Sequence, residues 1–245
     1  MKYYRKNGQN AEFLQAAGLY YELSELMEAE TNRMVSNVIV LRKSLETARK
    51  ARQLVEQENI VLHEKSEIDP LTGMANRYRM NDYSDRVFAE AMADEIPLAV
   101  EILDIDYFKE YNDNYGHQQG DRCLEQIAEV IRQLAAENNA FCARYGGDEF
   151  VIIYENVERE QMVAFAMELK QRVMRLQMEH RYSKALPIVT VSQGICWDIP
   201  KKGNKMWDFL HSADNMLYRV KKFSRNNFGV GDVKETDDMI FGTLQ

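Results

Sequence analysis

Residues 144–150 read Arg-Tyr-Gly-Gly-Asp-Glu-Phe, so two acids, Asp148 and Glu149, follow directly on two glycines, Gly146 and Gly147. The flanks Cys142-Ala-Arg-Tyr145 and Phe150-Val-Ile-Ile-Tyr154 are rich in β-branched and aromatic residues. Two such runs around Gly-Gly predict a hairpin with positive φ at both glycines and with Asp148 and Glu149 at its tip. Backbone without side chains lets a phosphate approach closely, and a carboxylate beside it can hold a divalent metal. Taken alone, the four residues read better as an ordinary turn with solvated acids.

A second acidic cluster supplies a partner. Pro97-Leu-Ala-Val-Glu-Ile-Leu103 reads as a largely buried strand that runs into Asp104-Ile-Asp-Tyr-Phe-Lys109. Acids at the C-terminal end of an apolar strand are a common setting for a metal–nucleotide site in α/β architecture. Magnesium is usually bound by one or two carboxylates plus substrate phosphates, so Asp104 with Asp148 would suffice from the protein. Strand alternation sets Asp104 and Asp106 on one face and Ile105 on the other. The plain alternative is a strand ending in solvent.

The elements that must position these acids alternate. A helix is predicted from about Asn76 to Ala93, then the Leu98–Leu103 strand, then a helix from about Gln118 to Glu137 leading into the hairpin. Further helices are expected over about Glu158–Glu179 and Lys205–Ser224, with a strand over Pro187–Cys196 between them. This order suits an α/β (α+β) sandwich with a central, mostly antiparallel sheet. The tail beyond Phe228 is Gly- and Asp-rich and reads as loosely held, although its Met239-Ile-Phe could dock somewhere.

The N-terminal third differs. From Ala11 to Ser66 there is no proline and a single glycine, Gly18. Met34, Val38, Leu41, Leu45, Ala48, Arg52, Val55, Asn59 and Leu62 recur at alternating four- and three-residue steps, a heptad seam with two polar interruptions. At ~1.5 Å per residue it would run on the order of 43 Å as a helix. A dimeric coiled coil is the preferred reading. A helical hairpin whose other arm is Leu19 to Met27 is the alternative. The expected organisation is residues 1–66 as a helical dimerisation and signalling region, 67–230 as the catalytic domain and 231–245 as a tail.

Composition narrows the class. The chain has 245 residues, 45% hydrophobic content and a net charge of −8, which argues against non-specific nucleic-acid binding. An anionic nucleotide would need a locally positive site made by metal and selected lysines. Cys123, Cys142 and Cys196 show no metal-ligand spacing and read as buried free thiols of a reducing cytoplasm. No apolar run reaches the length of a membrane span, and no signal peptide is visible.

The motifs then converge on a family. Asp104-Ile-Asp-Tyr-Phe-Lys-Glu-Tyr-Asn-Asp-Asn-Tyr-Gly-His-Gln-Gln-Gly-Asp121 resembles the signature of the GGDEF domain, the diguanylate cyclase module, as does Asp69-Pro-Leu-Thr-Gly-Met-Ala-Asn-Arg77 upstream. Gly-Gly-Asp-Glu-Phe150 itself follows, then Thr190-Val-Ser-Gln-Gly194, then Ala213-Asp-Asn-Met-Leu-Tyr218 with Lys221 and Arg225-Asn226. A lone pentapeptide would be a weak signal, but this ordered series over about two-thirds of the chain is highly specific. The resemblance implies a fold like the palm of nucleotide cyclases and polymerases.

It also implies roles. Asp104, Asp148 and the carbonyl of Ile105 would hold Mg²⁺ (or Mn²⁺), two ions per active half-site, leaving Asp106 less securely functional. Asp148, Glu149 and Lys109 would form the catalytic set. Asn112 and Asp121 would hydrogen-bond guanine, whose N1 and N2 donors suit a carboxylate and whose other edges suit an amide. His117, between them, either touches substrate or closes the Tyr-Gly-His turn. Phe108, Gly146, Gly147, Lys221 and Arg225 complete the substrate-binding set. Lys221 and Arg225 stand four apart on a predicted helix and so would share a face.

The implied reaction joins two GTP molecules, one per subunit of a homodimer, into cyclic di-GMP with release of two pyrophosphates. Shifting the N-terminal seam would move the half-sites together or apart, which admits an upstream sensor or partner protein. Many family members carry Arg-x-x-Asp before the motif as a product-binding inhibitory site. Here that stretch is Glu137-Asn-Asn-Ala140, so no feedback through it is expected. Ser224 and Gln193 depart from a usual glycine and a usual apolar residue. A catalytically silent GTP-binding or interaction module is the rival reading, and a pure coiled-coil protein would leave the second two-thirds unexplained.

Overall fold

The computed structural model of the chain describes residues 10–65, 67–233 and 240–241, with side chains over 12–53 and 67–233. The chain falls into two compact units, residues 1–63 and 64–245.

Among the described residues the first unit is one helix. α1 spans Asn10–Lys65, 56 residues without a break. The hairpin alternative is therefore overturned: no proline interrupts the run, and a single glycine costs only ~1 kcal/mol relative to alanine inside a helix. The seam residues Met34, Val38, Leu41 and Leu45 are exposed along it. The side chains of Val55, Asn59 and Leu62 lie outside the described residues.

The second unit is built on a sheet. In chain order it contains α2 (Arg77–Asp94), β1 (Leu98–Ile105), α3 (Phe108–Tyr115), α4 (His117–Glu137), β2 (Phe141–Gly146) and β3 (Glu149–Glu155). Then come α5 (Arg159–Arg175), β4 (Val191–Asp198), α6 (Met206–Phe223), β5 (Phe228–Gly231) and the two-residue β6 (Ile240–Phe241). Strand order is β2-β3-β1-β4-β5-β6. All pairs are antiparallel except β4 with β5.

Alternation along β1 divides the core. Ala99, Leu103 and Ile105 pack with Ile127 and Ile131 of α4 and with Leu169 of α5. Leu98 and Val100 pack on the opposite face with Val87 and Phe88 of α2 and Phe209 and Ala213 of α6. Helices thus cover both faces, and β1 is buried because it is central.

Several boundaries differ from expectation. α3 was not anticipated, because its sequence is short and rich in asparagine and aspartate. α5 stops at Arg175, and Gln177 turns the chain with φ 50. The strand expected from Pro187 begins at Val191. Phe228–Gly231, read as the start of a loose tail, is a fully buried strand parallel to β4, and Ile240–Phe241 pairs with it. Met239 lies outside the described residues.

Candidate active site

The site gathers at the C-terminal end of β1. Asp104 stands opposite Glu149 in the β1–β3 ladder, which brings the two acidic clusters side by side. In the β2–β3 hairpin Gly146 pairs with Glu149, so the turn consists of Gly147 and Asp148. Only Gly147 has positive φ (56), a II′-type pattern, so the expectation of positive φ at both glycines is corrected. The register shifts between Arg144 and Gly146, and that bulge moves the turn one residue onward.

A clamp holds the turn. Arg144 donates from Nε (3.0 Å) and Nη2 (2.7 Å) to the carbonyl of Gly147, and from Nη1 to Asp69 Oδ1 at 3.1 Å. Asp69 also accepts from the backbone N–H and hydroxyl of Thr72. Burial would raise the Asp69 carboxyl, but the Thr72 and Arg144 bonds outweigh it and hold the pKa below its ordinary value. Neither Arg144 nor Asp69 was among the expected site residues. The Asp-x-x-Thr turn was visible in sequence, but not its reach to a residue 75 positions away.

Lys221, in the last turn of α6, places Nζ 2.6 Å from Asp104 Oδ2. Burial, then the charge of Asp148, push the Asp104 carboxyl up to about 7 against the opposing Lys221 ammonium. Glu149 is also raised, first by burial; Lys221 lowers it, and Asp148 and Asp214 raise it. Asp104 and Glu149 therefore share one ammonium, with Asp148 adding negative charge to both.

Asp106 has a different setting. It is wholly buried and accepts from Thr190 Oγ1 and Ser192 Oγ, both at 2.7 Å, and from the backbone N–H of Asn226 at 2.9 Å. These bonds tie the end of β1 to β4 and to the turn after α6. Ile105 points to the other face, into the core. Arg225 does not share a helix face with Lys221, because α6 ends at Phe223 and Arg225 is left-handed with φ 48. Its guanidinium lies 4.3 Å over the Tyr107 ring and 3.5 Å from Asp106.

The residues expected to read guanine sit where α3 meets α4 across Gly116, whose φ is 84. Asn112 Oδ1 is buried without a partner among the described residues. A Cβ on Gly120 would stand 1.9 Å from that oxygen, so only glycine leaves the amide its place. Asp121, His117 and Lys109 are exposed, His117 in the first turn of α4, Asp121 just past that turn and Lys109 in the first turn of α3. Phe108 is a core residue, stacked 6.2 Å from Tyr111 and packed toward Gly120.

These residues could hold a divalent metal and a nucleotide base. No three His, Cys, Asp or Glu side chains form a metal cage among the described residues. Asp104, Asp148 and a strand-end carbonyl are oxygen donors of the kind that could hold Mg²⁺, which is usually bound by one or two carboxylates plus phosphates. An unpartnered buried amide oxygen has spare capacity for a ligand N–H.

The family profile "Diguanylate cyclase, GGDEF domain" matches residues 66–227. The chain is 32% identical over 197 residues to a bifunctional diguanylate cyclase/cyclic di-GMP phosphodiesterase, MucR, of Pseudomonas aeruginosa, covering 80% of this chain and 27% of that protein. It is 29% identical over 165 residues to a diguanylate cyclase of Vibrio cholerae, covering 67% and 50% respectively. The chain thus spans half or less of these relatives. Among solved structures, the coiled coil and GGDEF domain of DgcB from Caulobacter crescentus, in complex with c-di-GMP, superposes with TM-score 0.60 at 29% identity. That match covers 78% of this chain and 99% of the other.

Proposed function

The chain belongs to the GGDEF family of diguanylate cyclases, and from that premise we propose that it condenses two GTP molecules into cyclic di-GMP. Each subunit of a homodimer holds one GTP. The 3′-hydroxyl of each attacks the α-phosphorus of the other in line; two P–O bonds form, two break, and two pyrophosphates and two protons leave. The observation that carries the reading is the Asp104–Lys221 pair beside Asp148 and Glu149, with the orphaned Asn112 amide on the same strand-to-helix run.

Asn112 and Asp121 read guanine, and the first N–H groups of α3 face the phosphates. Mg²⁺ or Mn²⁺, two per half-site on Asp104, Asp148 and the Ile105 carbonyl, supplies charge neutralisation for the triphosphate and its leaving group. Lys221 exchanges Asp104 for a phosphate oxygen when the nucleotide enters, and Lys109 adds a second cation. Glu149 or Asp148 takes the hydroxyl proton. Arg225 acts on the phosphates at one remove, through Tyr107 and Asp106. His117 borders the base.

Residues 67–230 would form the catalytic domain, 1–66 the dimerising and signal-receiving helix and 231–245 a tail. No described helix is long and apolar enough to cross a membrane, and GTP as substrate places the domain in the cytoplasm. The rival reading is a module that binds GTP with Mg²⁺ but does not turn it over.

Purified protein incubated with GTP and Mg²⁺, followed by mass-resolved chromatography, decides between them. Cyclic di-GMP from the wild type and none from Asp148→Ala is the expected result. Mg²⁺-dependent GTP binding without product would install the second reading. Glu137 is bonded to Arg172 at 2.6 Å, and added cyclic di-GMP should leave the initial rate unchanged.

A further inference from the structure

The last residue before α3 is conformationally unusual. Tyr107 has φ 58 and ψ 33, a left-handed backbone that a residue with a Cβ adopts only when its surroundings impose it. No side chain caps α3 there. The acids that precede Tyr107 and the helix that follows it are the two halves of the proposed nucleotide site.

What imposes the turn is partly visible in Arg225 over the ring and in the bonds to Asp106. A further hold comes from a residue far away in sequence. His180, in the connection between α5 and β4, is wholly buried, and its Nε2 lies 3.1 Å from the carbonyl oxygen of Tyr107. The same carbonyl accepts the N–H of Tyr111 at 2.9 Å. A carbonyl only accepts, so Nε2 carries the proton and Nδ1 keeps the lone pair. Nδ1 is buried with no partner among the described residues.

The imidazole is itself fixed. It stands edge-on to Tyr111 (5.1 Å, 87°) and Tyr115 (6.3 Å, 74°), and its backbone N–H donates to Pro187. An apolar ring would fill this aromatic slot without stranding a nitrogen. The donor bond to Tyr107 is what histidine adds.

Resting on the cyclase reading above, we propose that His180 is a positioning residue for the nucleotide turn. By holding the Tyr107 carbonyl it fixes the left-handed turn, and with it the Ile105 carbonyl, the first N–H groups of α3 and the reach of Asn112. His180 touches neither substrate nor metal; it sets the distance at which the turn meets the triphosphate.

The test compares His180→Phe, which fills the slot without a donor, with His180→Gln, whose amide can reach the carbonyl. In the full-length chain, Mg²⁺-dependent binding of a non-hydrolysable GTP analogue is measured by calorimetry beside kcat, KM and thermal unfolding. His180→Phe should melt within a few degrees of the wild type, while analogue affinity and kcat fall about tenfold or more, the scale of a small misplacement of reacting groups. His180→Gln should recover most of both. If His180→Phe does not accumulate, His180→Asn, too short to reach, takes its place. Wild-type binding and turnover in His180→Phe, or no recovery in His180→Gln, overturns the proposal. A wild type that binds the analogue but makes no cyclic di-GMP defeats the cyclase reading alone, and the binding arm still decides the role of His180.

Discussion

Two wholly buried acids of β1 and its end show how partners decide what a carboxylate does. Asp106 is met by hydroxyl and backbone donors from two segments. Glu101 has one donor, Tyr154 Oη at 3.0 Å, and its Oε1 has no partner. Burial therefore dominates at Glu101 and pushes its pKa from 4.5 up to about 7. Between those values the unfolded chain ionises Glu101 while the folded chain keeps it protonated, so stability falls as pH rises through that window. The loss amounts to about 3 kcal/mol once pH passes 7. Glu101→Gln should reduce the slope of the stability profile between pH 5 and 8, to which the raised Asp104 carboxyl also contributes, read by urea unfolding; an unchanged slope would assign the effect elsewhere. Gly120→Ala is the matching probe of Asn112: the new methyl, 1.9 Å from Oδ1, must displace the amide. KM for GTP should rise about tenfold, the worth of one good hydrogen bond, with little change in melting.

Elements obey the same logic at larger size. Gly194, in the middle of β4, lies under α6, and a Cβ there would stand 2.2 Å from the Ala213 carbonyl oxygen and the Leu217 nitrogen. Both are backbone atoms that cannot rotate away. Gly194→Ala should therefore lift α6, which carries Lys221, and cost about 3 kcal/mol. A melting temperature lowered by several degrees together with weakened Mg²⁺–GTP binding is the expected pair of results; an unchanged melt would mean that the helix gives way freely. Local pattern explains which elements were legible in the sequence. The hairpin and β1 announced themselves through β-branched runs and alternation, and α2, α4 and α6 through helical periodicity. α3 did not, since Asn112, Asp113 and Asn114 favour turns and the helix is held by Phe108 and Tyr111 packing into the core. β5 is four residues long and pairs in parallel with β4 across an intervening helix, which leaves no local signal. Asp104, Lys221 and Glu149 were readable from their motifs. The Asp69–Arg144 clamp, the His180 bond and the place of Arg225 beyond the helix end depend on tertiary contacts that spacing does not encode.

At the scale of the whole molecule, the exposed seam of α1 bears on catalysis. Met34, Val38, Leu41 and Leu45 are each more than half exposed, at 63%, 64%, 62% and 55%. Apolar side chains repeating at heptad spacing along a 56-residue helix gain little from water, while a second copy would bury them as knobs in holes. If one GTP is held per subunit, turnover requires two subunits, and on the proposed reading α1 would control how often they meet. Leu41→Glu would set like charges against each other at the middle of the seam. Sedimentation should show dissociation in a concentration range where the wild type remains dimeric. The rate per subunit should then climb with protein concentration in the variant and stay flat in the wild type, the signature of a site assembled from two chains. A Leu41→Glu protein that stays dimeric and fully active would remove α1 from the dimerisation argument. A chain beginning near Ser66 that dimerises and turns over as well as the full one would do the same, leaving the catalytic unit to bring its half-sites together unaided.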